Sequence, residues 1–460
     1  MLALHRILVS FFVGLALVLT GPLADAAEKK SKSPSLIRDA EIEGFLRQLA
    51  RPLFKAAGLN PKIVRVHVIA DNNINAFVAN GQRIFIHTGL ITQTRTPNEI
   101  VGVLAHESGH IAGGHLARLN TELERASTER IVGMLIGAAA VVGGAMAGSQ
   151  SATRAGTGVL AGSQGAAQRN FLSYQRSMES SADQAALKYL KNTKQSAKGM
   201  LTLFGKLASQ NLTALDRADP YLMSHPMPME RIRTLETQAA ESPYFGKSDE
   251  PGMLLRHDLV KAKLAGFMLP PGRVIQLYPP SNVTMPARYA RAIAYFRQGN
   301  IRDSLPLIDS LIEELPQSPY FWELKAQAYL ENAQAAKGLP AIAKARALLP
   351  DNGLLQQLHA QIIIATESKK MASEAISLLR NAAVSENENP SLYQDLARAY
   401  ALKGDIPRAE LTTAEYALAI GDRDLAKTKA QAALDYFKVG SPEWVKANDI
   451  LTFSSKKKKK

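Results

Sequence analysis

The 460-residue chain contains no cysteine. That excludes every disulfide and a lipid-modified N-terminal cysteine, and it leaves no thiol to cross-link wrongly in an oxidising compartment. The chain also lacks an unbroken apolar run of the roughly 20 residues that a membrane-spanning helix requires. Two segments come close. Arg6 precedes "ILVSFFVGLALVLT", which stops at Gly21-Pro22 and leads to Ala24-Asp25-Ala26, the pattern of a secretory signal peptide cleaved after Ala26. Ile131 to Thr153 carries no charge, but its apolar part, "IVGMLIGAAAVVGGAMA", has 17 residues of which four are glycine. A mobile Gly/Ala-rich helix or flap fits that composition better than a span. The formal net charge of +14 is concentrated partly in Lys456 to Lys460, where no aromatic residue is interleaved, so nucleic acid is a poor partner. Self-repulsion predicts a disordered basic tail; the alternative is peripheral attraction to an anionic surface, a membrane or lipopolysaccharide face.

What is present suffices for two or three cores. The expected organisation is a signal peptide over 1–26, a folded domain over 27–245, a linker over 246–280, a helical repeat domain over 281–453 and a basic tail over 454–460. The fold class is α+β. Between Pro61 and Gly89 apolar residues alternate with period two, and Asn80-Gly81 separates two β-rich runs. This predicts a hairpin of Ala76–Ala79 and Gln82–His87 closed by a type I′ turn, in a small antiparallel sheet. Thr96, Pro97 and Glu99 then supply an N-cap, a first helical residue and a capping box for the next helix.

That helix carries "GVLAHESGHIAGGH", Gly102 to His115. His106 and His110 are four residues apart, so both imidazoles point from one face at one place, the spacing that suits zinc. Glu107 lies beside that place, where it can take a proton from a water that the ion activates. His115 is one residue short of the third ligand of a metzincin, and on a continuing helix it lies about 180° from His106. It reads as structural or solvent-facing. For the third ligand, Glu129 stands at a thermolysin-like distance, but Gly133 follows it where a supporting Asp is needed. In "YQRSMESSADQAA", Glu179 and Asp183 share a face one turn apart, Glu179 to bind the metal and Asp183 to fix a histidine ligand through its other ring N–H. Glu179 is therefore preferred. A single span between His110 and Glu179 would also separate two ligands of one ion by a bilayer.

From about Ser281 the chain becomes helical with a period. Tyr295, Tyr329, Ile363 and Tyr400 are 34, 34 and 37 residues apart, Ser304, Gly338, Ala372 and Ala409 follow each by nine, and Pro316 and Pro350 follow the first two by 21. This resembles the tetratricopeptide repeat, with extra residues in the third unit near "SENENP". Stacked helix pairs make a concave surface that grips another chain.

HExxH, a distant ExxxD and then "HPMPMERIR", His225 to Arg233, together resemble the minigluzincin family of zinc endopeptidases, over roughly residues 35 to 240. The resemblance implies a minimal zincin core with one Zn2+ per chain at His106, His110 and Glu179, and Glu107 as general base. It also implies a periplasmic role, degrading misfolded or stalled outer-membrane proteins and assisting their assembly beside the β-barrel assembly machinery. Asn75-Ala76-Phe77 matches the family's edge strand, which holds substrate main chain to main chain. The rival function is a repeat-based chaperone or adaptor whose metal site is vestigial or mostly closed. His225 has two functional readings, with Arg231 positioning it or its neighbours. It either donates to the oxyanion of the tetrahedral intermediate, or reaches the fourth metal position and holds the enzyme closed; the second is preferred.

Overall fold

Asp39 starts the first helix by accepting hydrogen bonds from the backbone N–H groups of Glu41 and Ile42. The computed structural model describes residues 35–455 except 80, 120, 123–172, 214–220, 222–224, 227–228 and 387, and the side chains of 210–213. The signal segment, the uncharged Ile131–Thr153 segment, Glu129 and the lysine tail therefore lie outside the described residues. From Ile37 onward the chain forms one compact unit.

Helix α1 (Ala40–Ala56) places Ile42, Phe45, Leu46, Leu49 and Leu53 on one buried stripe. It covers a four-stranded sheet of β1 (Leu36–Ile37), β2 (Arg65–Ile69), β3 (Ala76–Ala79) and β4 (Arg83–His87), in the order β1-β2-β4-β3. The β3–β4 pair is antiparallel as expected, with Phe77 opposite Phe85. The sheet, however, is mixed rather than antiparallel, because β4 returns between β3 and β2 and runs parallel to β2. The pairing of Ala79 with Arg83 leaves residues 80–82 to connect the strands, one more than a two-residue type I′ turn has. Alternation sorts the faces: Val68, Ile84, Ile86 and Ala76 join the core, while His67, Phe85 and Phe77 stack across the other face at 5.2 and 5.3 Å.

Helices α2 (Thr88–Gln93) and α3 (Pro97–Ala112) follow directly. Thr96 is the N-cap of α3 and Pro97 its first residue, but the Thr96 side chain makes no cap bond to the helix. The Asn98 N–H instead donates to Asp249 at 3.3 Å, and Glu99 accepts from the N–H of Arg95 at 3.1 Å. The distant carboxylate takes the place of the local box. Against α3 pack α4 (residues 173–192) and α5 (Lys198–Thr213), and α6 (Met229–Ala240) packs on α5. Gly109 allows this closeness, since a Cβ there would stand 2.8 Å from the Ala182 carbonyl oxygen of α4.

The segment expected as a linker is helical: α7 (Pro251–Met268) and α8 (Pro271–Leu277) fill it. Val260 and Leu264 of α7 enter the core that α1 and the sheet form, and Leu259 enters the next one, so α7 joins the two instead of separating them. Beyond it come α9 (Met285–Arg297), α10 (Ile301–Glu314), α11 (Pro319–Glu331), α12 (Ala335–Leu348), α13 (Gly353–Ala365), α14 (Ala372–Ser385), α15 (Pro390–Lys403), α16 (Ile406–Ala419), α17 (Arg423–Leu434) and α18 (Pro442–Ser455). Each packs on its neighbours in sequence. The first helices of four successive pairs begin at Met285, Pro319, Gly353 and Pro390, at intervals of 34, 34 and 37. The extra residues of the third pair lie in its internal turn, 366–371, and not near "SENENP", where the connection 386–389 matches 315–318 and 349–352 in length.

Candidate metal centre

The α3 helix is buried along the face that carries His106 and Glu107, both fully buried, while His110 retains slight exposure. One helical turn separates the two histidines, and their Nε2 atoms stand 3.0 Å apart. From α4, Glu179 brings Oε2 to 3.4 Å from His106 Nε2 and Oε1 to 3.3 Å from His110 Nε2. The fourth member comes from the chain before α6: His225 Nδ1 lies 3.3 Å from His106 Nε2 and 3.0 Å from Glu179 Oε1. All four ligand atoms fall within 4.8 Å of one another.

These separations test whether a metal fits. Four ligands placed tetrahedrally at zinc–nitrogen and zinc–oxygen lengths stand about 3.3 Å apart. The pairs above range from 3.0 to 3.4 Å. Glu107 supplies a second test, because both of its oxygens are buried and accept no hydrogen bond among the described residues. Its nearest ring nitrogen is His225 Nε2, 3.5 Å from Oε1. A buried carboxylate without donors is costly unless something polar shares its space. The donor set, two or three imidazoles and one carboxylate, is that of zinc.

Asp183, one turn after Glu179, lies 2.9 Å from His106 Nδ1 and so fixes the ring from behind. Arg231 of α6 grips Asp183 through two nitrogens, places Nη1 3.1 Å from Glu179 Oε2, and donates to the Pro226 carbonyl oxygen at 2.8 Å. The guanidinium thus ties α4 to the chain that carries His225, and its donors are directed at those groups. The ring of Tyr221 packs 4.8 Å from that of His225, and Phe204 meets His106 edge-on at 5.8 Å. Sequence reasoning missed both aromatics, which look like ordinary core residues.

Charge follows from these contacts. Burial alone lowers the His106 imidazole, but hydrogen bonds to Asp183 and Glu179 outweigh burial and raise it to about 10. Burial pushes the Glu179 carboxyl up, yet the three histidines hold it well below the carboxylate range. Asp183 is likewise held low by Arg231 and His106 against burial, whereas burial lowers His110. The carboxylates are thus anions that draw positive charge to one point.

Among the described residues β3 is the last strand of the sheet, beside α3, and it begins at Ala76, one residue after Asn75. Ala76 is fully buried, Phe77 is stacked on Phe85, and the buried side-chain oxygen of Asn75 has no partner among the described residues.

Two histidines on one helix, a glutamate from a second helix and, beside them, a glutamate that accepts no hydrogen bond among the described residues define a metalloendopeptidase of the HExxH type. Residues 37–239 match the model of peptidase family M48. It is similar to the beta-barrel assembly-enhancing protease of Escherichia coli, 24% identical over 422 residues, covering 89% of this chain and 82% of that one. The mitochondrial metalloendopeptidase OMA1 of Schizosaccharomyces pombe is 23% identical over 198 residues, 43% of this chain and 53% of that one. A Vibrio cholerae relative is 24% identical over 292 residues, 62% of this chain, and the match spans 58% of that relative's length.

Proposed function

We propose that the chain is a periplasmic zinc endopeptidase that degrades misfolded or stalled outer-membrane proteins and assists their assembly beside the β-barrel assembly machinery. The observation that carries the reading is the convergence of His106, His110 and Glu179, whose ligand atoms lie 3.0 to 3.4 Å apart in pairs, with the Glu107 carboxylate, which accepts no hydrogen bond among the described residues, next to them. The name of the Escherichia coli relative supports the outer-membrane part, and the leader expected over residues 1–26 supports export. Among the described residues no helix is long and apolar enough to cross a membrane.

A zinc ion held by His106, His110 and Glu179 would supply a Lewis acid and lower the pKa of a water in its open position. Glu107 takes a proton from the attacking water and hands it to the leaving amine. Asp183 and Arg231 hold the His106 ring and Glu179 in place. The free side of β3 aligns an extended substrate by main-chain pairing at Asn75, Ala76 and Phe77, which makes cleavage tolerant of sequence. The four helix pairs at a near-constant interval are read as tetratricopeptide-like units that bind the client or its assembly partners. Glu107→Gln should keep its zinc and lose about two to four orders of magnitude in cleavage of an unfolded barrel protein. Cleavage near the wild-type rate would refute the mechanism.

One observation favours a second reading, a chaperone or adaptor whose peptidase site is closed for much of the time. His225 Nδ1 lies among the same potential ligand atoms, 3.0 Å from Glu179 Oε1 and 3.3 Å from His106 Nε2. There His225 excludes water and keeps the base idle until its segment moves. His225→Ala should then raise basal cleavage of unfolded protein. A fall of similar size would instead assign His225 to stabilising the oxyanion.

A further inference from the structure

The α3 helix stops at Ala112, and Gly114 turns the chain back with φ +62°. An uninterrupted helix would carry His115 about 140° away from His110. The turn instead returns it over the helix end, where it is buried and its Nδ1 lies 3.0 Å from the Nδ1 of His110. The two rings meet edge to face, with centroids 4.9 Å apart. Gly113 is shaped to the same end: a Cβ there would stand 2.3 Å from His115 Nε2 and 2.6 Å from its Cδ2.

His110 Nε2 faces His106 and Glu179, so its Nδ1 points away from the site and needs an acceptor. For His106 the same need is met by Asp183, 2.9 Å from its Nδ1. We propose that His115 is the positioning residue of His110, accepting the Nδ1–H of that ring on its own Nδ1, and that Gly113-Gly114 exists to bring it there. This rests on the reading of His106, His110 and Glu179 as metal ligands. It fixes the His110 tautomer with the Nε2 lone pair turned inward, through a neutral acceptor where His106 has a charged one.

The test uses the full chain and zinc competition against a chelator, with the melting temperature of the metal-free protein as the check on folding. His115→Phe keeps a ring but no acceptor and should weaken zinc binding about 10–100-fold. His115→Asn, whose amide oxygen can stand in for Nδ1, should recover most of that loss, and Gly113→Ala, which displaces the His115 ring, should weaken binding in the same direction. Wild-type zinc affinity in His115→Phe overturns the inference, as does an Asn variant that falls as far as the Phe variant. His110→Ala separates the two levels. Zinc lost there but kept in His115→Phe sinks only the positioning role, whereas zinc kept in both sinks the metal site itself.

Discussion

Around Lys263 one ammonium faces three carboxylates, with Nζ 2.8 Å from Asp39, 3.4 Å from Glu41 and 3.6 Å from Glu323, while Tyr289 donates to Glu41 at 2.7 Å. Around His106, three carboxylates and three imidazoles converge with Arg231 set to one side, and both oxygens of Glu107 are left without hydrogen-bond donors among the described residues. Both clusters are buried. In the first, the protein supplies the central cation itself, and the four groups come from or adjoin α1, α7 and α11, so the cluster ties the peptidase part to the helical array. Burial lowers the Lys263 ammonium, but its acidic neighbours outweigh burial and raise it well above its usual range. In the second, the centre is shaped for a cation that the protein does not provide. A closed ion cluster serves structure, and an open one serves chemistry.

The largest effect that tests this contrast is on stability. Lys263→Met strands the buried carboxylates of Glu41 and Glu323 beside the partly exposed Asp39 and should cost about 3–5 kcal/mol in urea denaturation. Glu107→Gln, which changes a buried carboxyl that accepts no hydrogen bond among the described residues, should leave the midpoint unchanged or raise it. A Lys263→Met loss below about 1 kcal/mol would erase the distinction. A smaller effect is on pH dependence. Burial pushes the Glu323 carboxyl up, Asp39 and Glu41 add to this against the pull of Lys263, and it settles at about 7. The folded state therefore binds this proton more tightly than the unfolded chain. Stability from this group is full below the ordinary carboxylate range and is lost as pH rises to about 7. Glu323→Gln should flatten the decline in urea midpoint between about pH 5 and 8; an unchanged decline would remove Glu323 from the account.

Much of the site could be read from periodicity alone. One helical turn separates His106 from His110, and another separates Glu179 from Asp183, so each pair had to share a face. The partner of each pair lay some seventy residues away, where only chemistry could join them. What escaped depends on where helices stop and on long-range packing. His115 looked remote because the helix was taken to run through Gly113-Gly114, although a glycine pair is a stop signal. Asp249 capping α3, and Lys263 facing Asp39, leave no local trace, since the groups are 151 and 224 residues apart. The parallel β2–β4 pairing was hidden for a related reason: the alternation of residues fixes which side chains face the core but not which strand lies beside which.

Whether Glu179 completes the metal set is the claim on which the rest stands. Zinc analysis of purified Glu179→Ala and Glu129→Ala tests it most directly. The account predicts that Glu179→Ala retains little zinc and Glu129→Ala retains the wild-type amount. Full zinc in Glu179→Ala with loss in Glu129→Ala would contradict it and place the third ligand on the chain between His110 and Glu179.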